Sequence, residues 1–270
     1  ELKYLKSQLL TGLAFFVRGL LLYLVQSLNF GQVTMPYLYR TIKLTHTTMG
    51  YKRISIKIPT GYDEDRLRKK IKWFVNVTDF TYIIESKSLD ARNKNNIHWE
   101  MRILVSSDSF KQDLPESKPD IKIPYKKREE KVVVVGSGPA GFFAAFVLQK
   151  AGYNVTLIER GTDVKKRTED IDSFETTGVF TANSNYAFGE GGAGTFSDGK
   201  LTSRSKKISA EKKFILESYV SAGAPDEIKY MTHPHVGSDN LKIIVKNLRS
   251  QFEKIGGTYL FETTMTDIVV

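Results

Sequence analysis

Residues 131–161 read KVVVVGSGPAGFFAAFVLQKAGYNVTLIERG and hold the residues whose types and spacing most directly imply chemistry. Gly136-Ser137-Gly138-Pro139-Ala140-Gly141 completes a GxGxxG pattern where the β-branched run Val132–Val135, suited to a parallel strand buried on both faces, must turn into a helix. Gly136 permits the tight turn, Gly138 lets the backbone approach a pyrophosphate without a Cβ in the way, and Gly141 lets the helix sit close on the strand. The first N–H groups of the helix then face the phosphates. Glu159 ends a second strand eighteen positions after Gly141, near the offset of about 20 residues at which an acid accepts hydrogen bonds from a ribose hydroxyl. An acid there disfavours a 2′-phosphate, although Arg160 directly after it keeps that choice open. The pattern by itself does not separate NAD from FAD.

A second glycine cluster lies further on. Five of the chain's 20 glycines fall between 189 and 199, so this loop exposes many backbone N–H groups and admits a flat or phosphorylated ligand at close range. A plain surface linker is the alternative, but Thr195, Phe196 and Leu201 make the segment less polar than a linker needs to be.

Taken together, GSGPAGFFAAFVL, LIERG, NSNYAFGEGGAGTFSDGKL, HPHVGSDNL and TTMTDI resemble the FAD-dependent dehydrogenases often labelled NAD(FAD)-utilising dehydrogenases, within the glutathione-reductase-type flavoproteins. The resemblance covers roughly Tyr51 to Val270. It implies FAD with its ADP half on Gly136, Ser137, Gly138, Pro139, Ala140, Gly141 and Glu159, with Arg160 beside it. Gly191, Gly192, Gly194 and Thr195 would lie near the pyrophosphate or flavin, Lys200 would stabilise charge on reduced flavin, and Met265 would make a backbone contact beside the adenine. Arg167 and Asp170 also belong to the pattern. The implied activity is a flavin-dependent oxidoreductase acting on a small-molecule substrate, with NAD(P)H as a candidate electron donor. A non-catalytic nucleotide-sensing module and a dehydrogenase using NAD alone are the rival readings. No general base can be named.

Composition narrows the chemistry further. The chain has no cysteine, which excludes disulfide stapling and a redox-active dithiol within it. No metal site is expected: of four histidines only His233 and His235 are close, with no thiolate and no third ligand, and they read as a structured turn around a proline. The net charge of +10 is spread in short groups such as Lys126-Lys-Arg128 and Lys165-Lys-Arg167, so specific nucleic-acid binding is not expected; attraction of an anionic cofactor is a simpler use of the charge.

The elements that must position these residues form an α/β architecture: a partial Rossmann-type domain over 131–270, FAD-binding as the resemblance implies, preceded by a small α+β ferredoxin-like domain within 35–106 and a proline-containing, charged linker over 107–130. In the small domain the spacing predicts strands over Arg53–Ile58, Phe80–Ser86 and Ile97–Val105, with a helix over Asp63–Val75. Later helices are expected over Asp163–Phe174, Ala210–Ala222 and Asp239–Lys254, followed by strands over Thr258–Phe261 and Met265–Val270. Ending inside an apparent strand reads as truncation. Residues 1–34 stand apart. Leu9–Phe30 is apolar and about the length of a membrane span, with Arg18 in its middle costing about 2.5–3.5 kcal/mol on insertion. The favoured reading is a native start at Met35 or Met49 and a cytoplasmic protein; anchoring through Leu9–Phe30 is the alternative.

Overall fold

The structure, a computed structural model, describes residues 49–111, 120–201 and 209–269. The apolar segment Leu9–Phe30, Met35 and linker residues Pro115 and Pro119 lie outside them. No helix among the described residues is long and apolar enough to cross a membrane.

The small module is built on strict alternation. In β1 (Gly50–Pro59) Ile54, Ile56 and Ile58 turn inward, as do Met101, Ile103 and Val105 of β3 (His98–Ser107). Both pack with Leu67, Ile71 and Val75 of α1 (Glu64–Val75), whose first turn is capped by Asp63 accepting from the Arg66 amide at 2.8 Å. β2 (Thr81–Asp90) and β1 both pair antiparallel with β3, which lies between them. This is a split β-α-β with a hairpin, the first four of the six elements in the expected ferredoxin-like order. The free edge of β2 is met by Tyr230–Thr232: the Lys87 amide donates to the Tyr230 carbonyl and the Thr232 amide to the Lys87 carbonyl, both at 2.9 Å.

The second core is built on a three-stranded parallel sheet. β4 (Lys131–Val135), β5 (Asn154–Ile158) and β6 (Thr258–Leu260) are parallel in that spatial order. α2 (Pro139–Lys150) crosses from β4 to β5, and its Phe142, Ala145 and Phe146 are buried. The return to β6 passes through α3 (Val164–Thr177), α4 (Ser209–Ser221) and α5 (Ser238–Lys254), and α5 buries Leu241, Ile244, Leu248 and Phe252 at helical spacing against β5 and α2. The last linker residues run beside the end of α2, where the Arg128 amide donates to the Gly152 carbonyl at 2.9 Å.

Two expectations are corrected. β4 is covered on one face only among the described residues: Val132 and Val134 pack on the core while Val133 and Val135 are 61% and 51% exposed, because α2 and α5 lie on the same side of the sheet. The strand expected over Met265–Val270 does not form. After Leu260 the chain leaves regular pairing, and through Val269 it is irregular.

Candidate functional site

The turn from β4 into α2 has the conformation that the glycine pattern requires. Gly136 adopts φ +90°, and Pro139 takes the first helical position, where its missing N–H costs nothing. A Cβ on Gly141 would run into the Gly136 carbonyl, so this glycine is what lets α2 sit on the turn. Gly138, in extended backbone at the helix N-cap, has no atom within 4 Å of where its Cβ would stand. The amides of Gly138, Ala140 and Gly141 find no backbone acceptor among the described residues. Open space over a glycine, lined by unpaired amides at the positive end of a twelve-residue helix, is a cradle for an anion.

The second glycine loop closes on this turn. Gly192 has φ +70°, and a Cβ there would stand 3.1 Å from the Gly138 Cα. The two loops that lie more than fifty residues apart in sequence are thus backbone to backbone. Beyond Gly192 the chain makes a 3-10 turn, Ala193–Phe196, and Gly194, like Gly138, faces open space. A cavity is lined by Pro139 and Gly194 of the two loops together with Phe142, Phe143, Lys200 and Leu248.

Glu159 ties the loops together. One carboxylate oxygen accepts from the amide and hydroxyl of Ser137, both at 2.8 Å, and the other accepts from the amides of Gly161 at 2.9 Å and Gly189 at 3.2 Å. Four donors fill the four acceptor positions of a carboxylate, and the residue is buried. Burial works to raise its pKa, but the bonds from Gly161, Ser137 and Gly189 outweigh it and hold the group below its ordinary value. A depressed folded pKa means that the carboxylate stabilises the fold above its unfolded pKa, and that this contribution is lost as pH falls through the folded value. Glu159→Gln is therefore expected to flatten the acid side of the stability profile. Urea midpoints measured from neutral pH down to about pH 3 should fall less steeply than in the parent chain; parallel profiles would count against this assignment.

The other residues singled out from sequence are placed as follows. Ser137 and Thr195 are both buried, the Thr195 hydroxyl donating to the Glu190 carbonyl at 3.2 Å. Arg160 lays its guanidinium over Phe188, 3.4 Å from the ring centroid. Lys200 pairs with Asp198 at 2.9 Å, a contact that raises its pKa. Its backbone bridges to His235, so the HPHV segment is a turn packed beside the second loop. Met265 is half-exposed in the irregular segment after β6, two residues beyond Thr263, whose amide donates to the Glu159 carbonyl at 2.9 Å. Metal-ligating types meet once among the described residues, at Asp90, His98 and Glu100. Arg92 bonds to Asp90 at 2.6 Å and Lys57 to Glu100 at 3.0 Å, so both acids already have cationic partners.

The charges that organise the second loop are not apparent from composition. Arg167 is fully buried, and so is Glu190, which accepts from the Val164 amide at the start of α3 at 2.7 Å and lies 3.2 Å from Arg249. Burial pushes the Arg167 guanidinium down to about 10, against the opposing charges of Glu159 and Glu190, so it remains a cation at neutral pH. Lys165-Lys-Arg167 looks like any solvated basic group; the one available signal was that Arg167 belongs to the resembled pattern.

Fold and site together define a dinucleotide-binding domain, and comparison with known proteins agrees. A model of the pyridine nucleotide-disulphide oxidoreductase family matches residues 85–184 and 130–243, which together span more than half of the chain, and the chain belongs to this family. An uncharacterized protein of Clostridium beijerinckii is 38% identical over 236 residues, covering 82% of this chain and 44% of that protein. The chain thus spans less than half the length of this relative. With no cysteine among its 270 residues, it carries no dithiol of its own for disulphide exchange.

Proposed function

We propose that this chain is the FAD-binding part of an oxidoreductase acting on a small molecule, with NAD(P)H as electron donor. The observation that carries the reading is the open, amide-lined cradle over Gly138 with Gly192 closing on it. The pyrophosphate would be held by the amides of Gly138, Ala140 and Gly141 and by the positive end of α2, with no side-chain cation required. Glu159, its four acceptor positions taken by donors of Ser137, Gly161 and Gly189, would hold the turn in shape from below. Bound flavin would supply the redox chemistry, taking electrons from one partner and passing them to another. The chain's own work is then to bind, orient and screen. The net charge of +10 favours the approach of an anionic cofactor.

The family match supports this reading, as does the second glycine loop, which gives the site a wall that a bare β-α-β turn lacks. Purified full-length protein should show the visible absorbance of bound flavin, or gain it on incubation with FAD. Uptake of NAD with no uptake of FAD would overturn the choice of cofactor, and flavin uptake with no turnover of any electron acceptor would point to a sensor.

A further inference from the structure

The second glycine loop is held by buried polar groups, among them Glu159 and Glu190. One side chain takes most of the carbonyls that are held. Arg167, in the first turn of α3, donates through Nε to the Asn185 carbonyl at 2.8 Å and through Nη2 to the Tyr186 carbonyl at 2.9 Å. Its Nη1 donates to the carbonyls of Glu190 at 2.9 Å and Gly192 at 2.8 Å. Four of the five N–H groups of a guanidinium are thus spent on main-chain oxygens of one eight-residue stretch, 185–192. The lower side of the group lies against Phe196, with Cζ 4.7 Å from the ring centroid. Among the described residues no carboxylate touches it; Glu159 and Glu190 balance its charge from a distance. A planar fork reaches carbonyls at both ends of the stretch at once, which the single ammonium of a lysine cannot do.

Gly192 links this clamp to the cradle. Its carbonyl is held by Arg167, and the same residue stands against Gly138, where a Cβ would be only 3.1 Å from the Gly138 Cα. We propose that Arg167 is a positioning residue for the dinucleotide: without touching the ligand, it fixes the second glycine loop as the wall of the cradle, so cofactor retention depends on it. This rests on the FAD reading above.

The test uses the full-length protein and two variants, Arg167→Ala and Arg167→Lys. Affinity for added FAD is followed by quenching of its fluorescence, and loop order by amide hydrogen exchange over residues 185–195. Arg167→Ala is expected to weaken FAD binding by about tenfold or more, equivalent to 1.4 kcal/mol, and to speed exchange across the loop. Millimolar guanidinium chloride should restore both by refilling the space, whereas potassium chloride at equal ionic strength should restore neither. Arg167→Lys keeps a buried cation and most of the stem, and serves if the alanine variant does not fold; it should remain folded yet retain FAD poorly. Parent-like FAD affinity in a folded variant with a fast-exchanging loop would overturn the proposal, as would full recovery in Arg167→Lys. A parent chain that takes up no FAD would sink the cofactor reading instead, while loop exchange and its guanidinium rescue would still score the hold of Arg167 on the loop.

Discussion

Gly138→Val should leave the chain folded and strip it of flavin. Gly138 sits at φ −62° and ψ 170°, ordinary extended backbone that any residue adopts, and its Cβ would meet nothing within 4 Å. The fold therefore has no need of glycine here. A ligand does, because a branched side chain would stand in the space above the unpaired amides of Ala140 and Gly141. Affinity for FAD should fall by about 100-fold, roughly 3 kcal/mol, with circular dichroism and the thermal midpoint close to those of the flavin-free parent. Parent-like flavin content would mean that the glycine pattern is a turn and nothing more.

The neighbouring glycine gives the opposite result. Gly141→Val is expected to destabilise the domain itself, since its Cβ would run into the Gly136 carbonyl, a backbone atom that cannot turn aside. Overpacking in a well-filled site costs about 1–3 kcal/mol, and more where the backbone has to move; against a total of roughly 5–15 kcal/mol, the thermal midpoint should drop by several degrees or the domain should fail to fold. The readout is thermal or urea unfolding, with flavin content falling only as far as the folded fraction does. A variant of parent stability would show that α2 does not need its close approach to the turn. The pair separates what one motif does for the ligand from what it does for the fold.

Both glycines could be read from sequence because the demand on each is local. Strand, turn, helix and second strand lie within thirty-one residues, and a period of two giving way to a period near 3.6 states where each begins. α2 begins at Pro139 directly after the glycine turn, and in the small module alternation marks the strands and helical spacing with an acidic start marks the helix. Glu159 was also visible as the acid closing the second strand. What it holds was not. Three of its four donors come from Ser137 and Gly189, 22 and 30 positions away, and nothing in local pattern tells a carboxylate that waits for a ribose from one already filled.

The same limit explains what else the local pattern could not show. Alternation says that a strand has two faces, but the faces of β4 differ because both packing helices fall on one side, leaving Val133 and Val135 open among the described residues. An apolar run after Thr263 suggested a strand, yet a strand exists only where a partner offers its edge, and β6 ends at Leu260. Lys165-Lys-Arg167 gave no sign of which basic residue turns inward. A guanidinium can be buried at tolerable cost only where several carbonyls converge on its fork, and that convergence is made by a loop folding back from residues 185–192 onto α3. The sequence alone determined the local elements and the backbone freedom of the cradle; the tertiary structure decided which charges lie inside and which loop faces which, because those depend on contacts between segments that share no local periodicity.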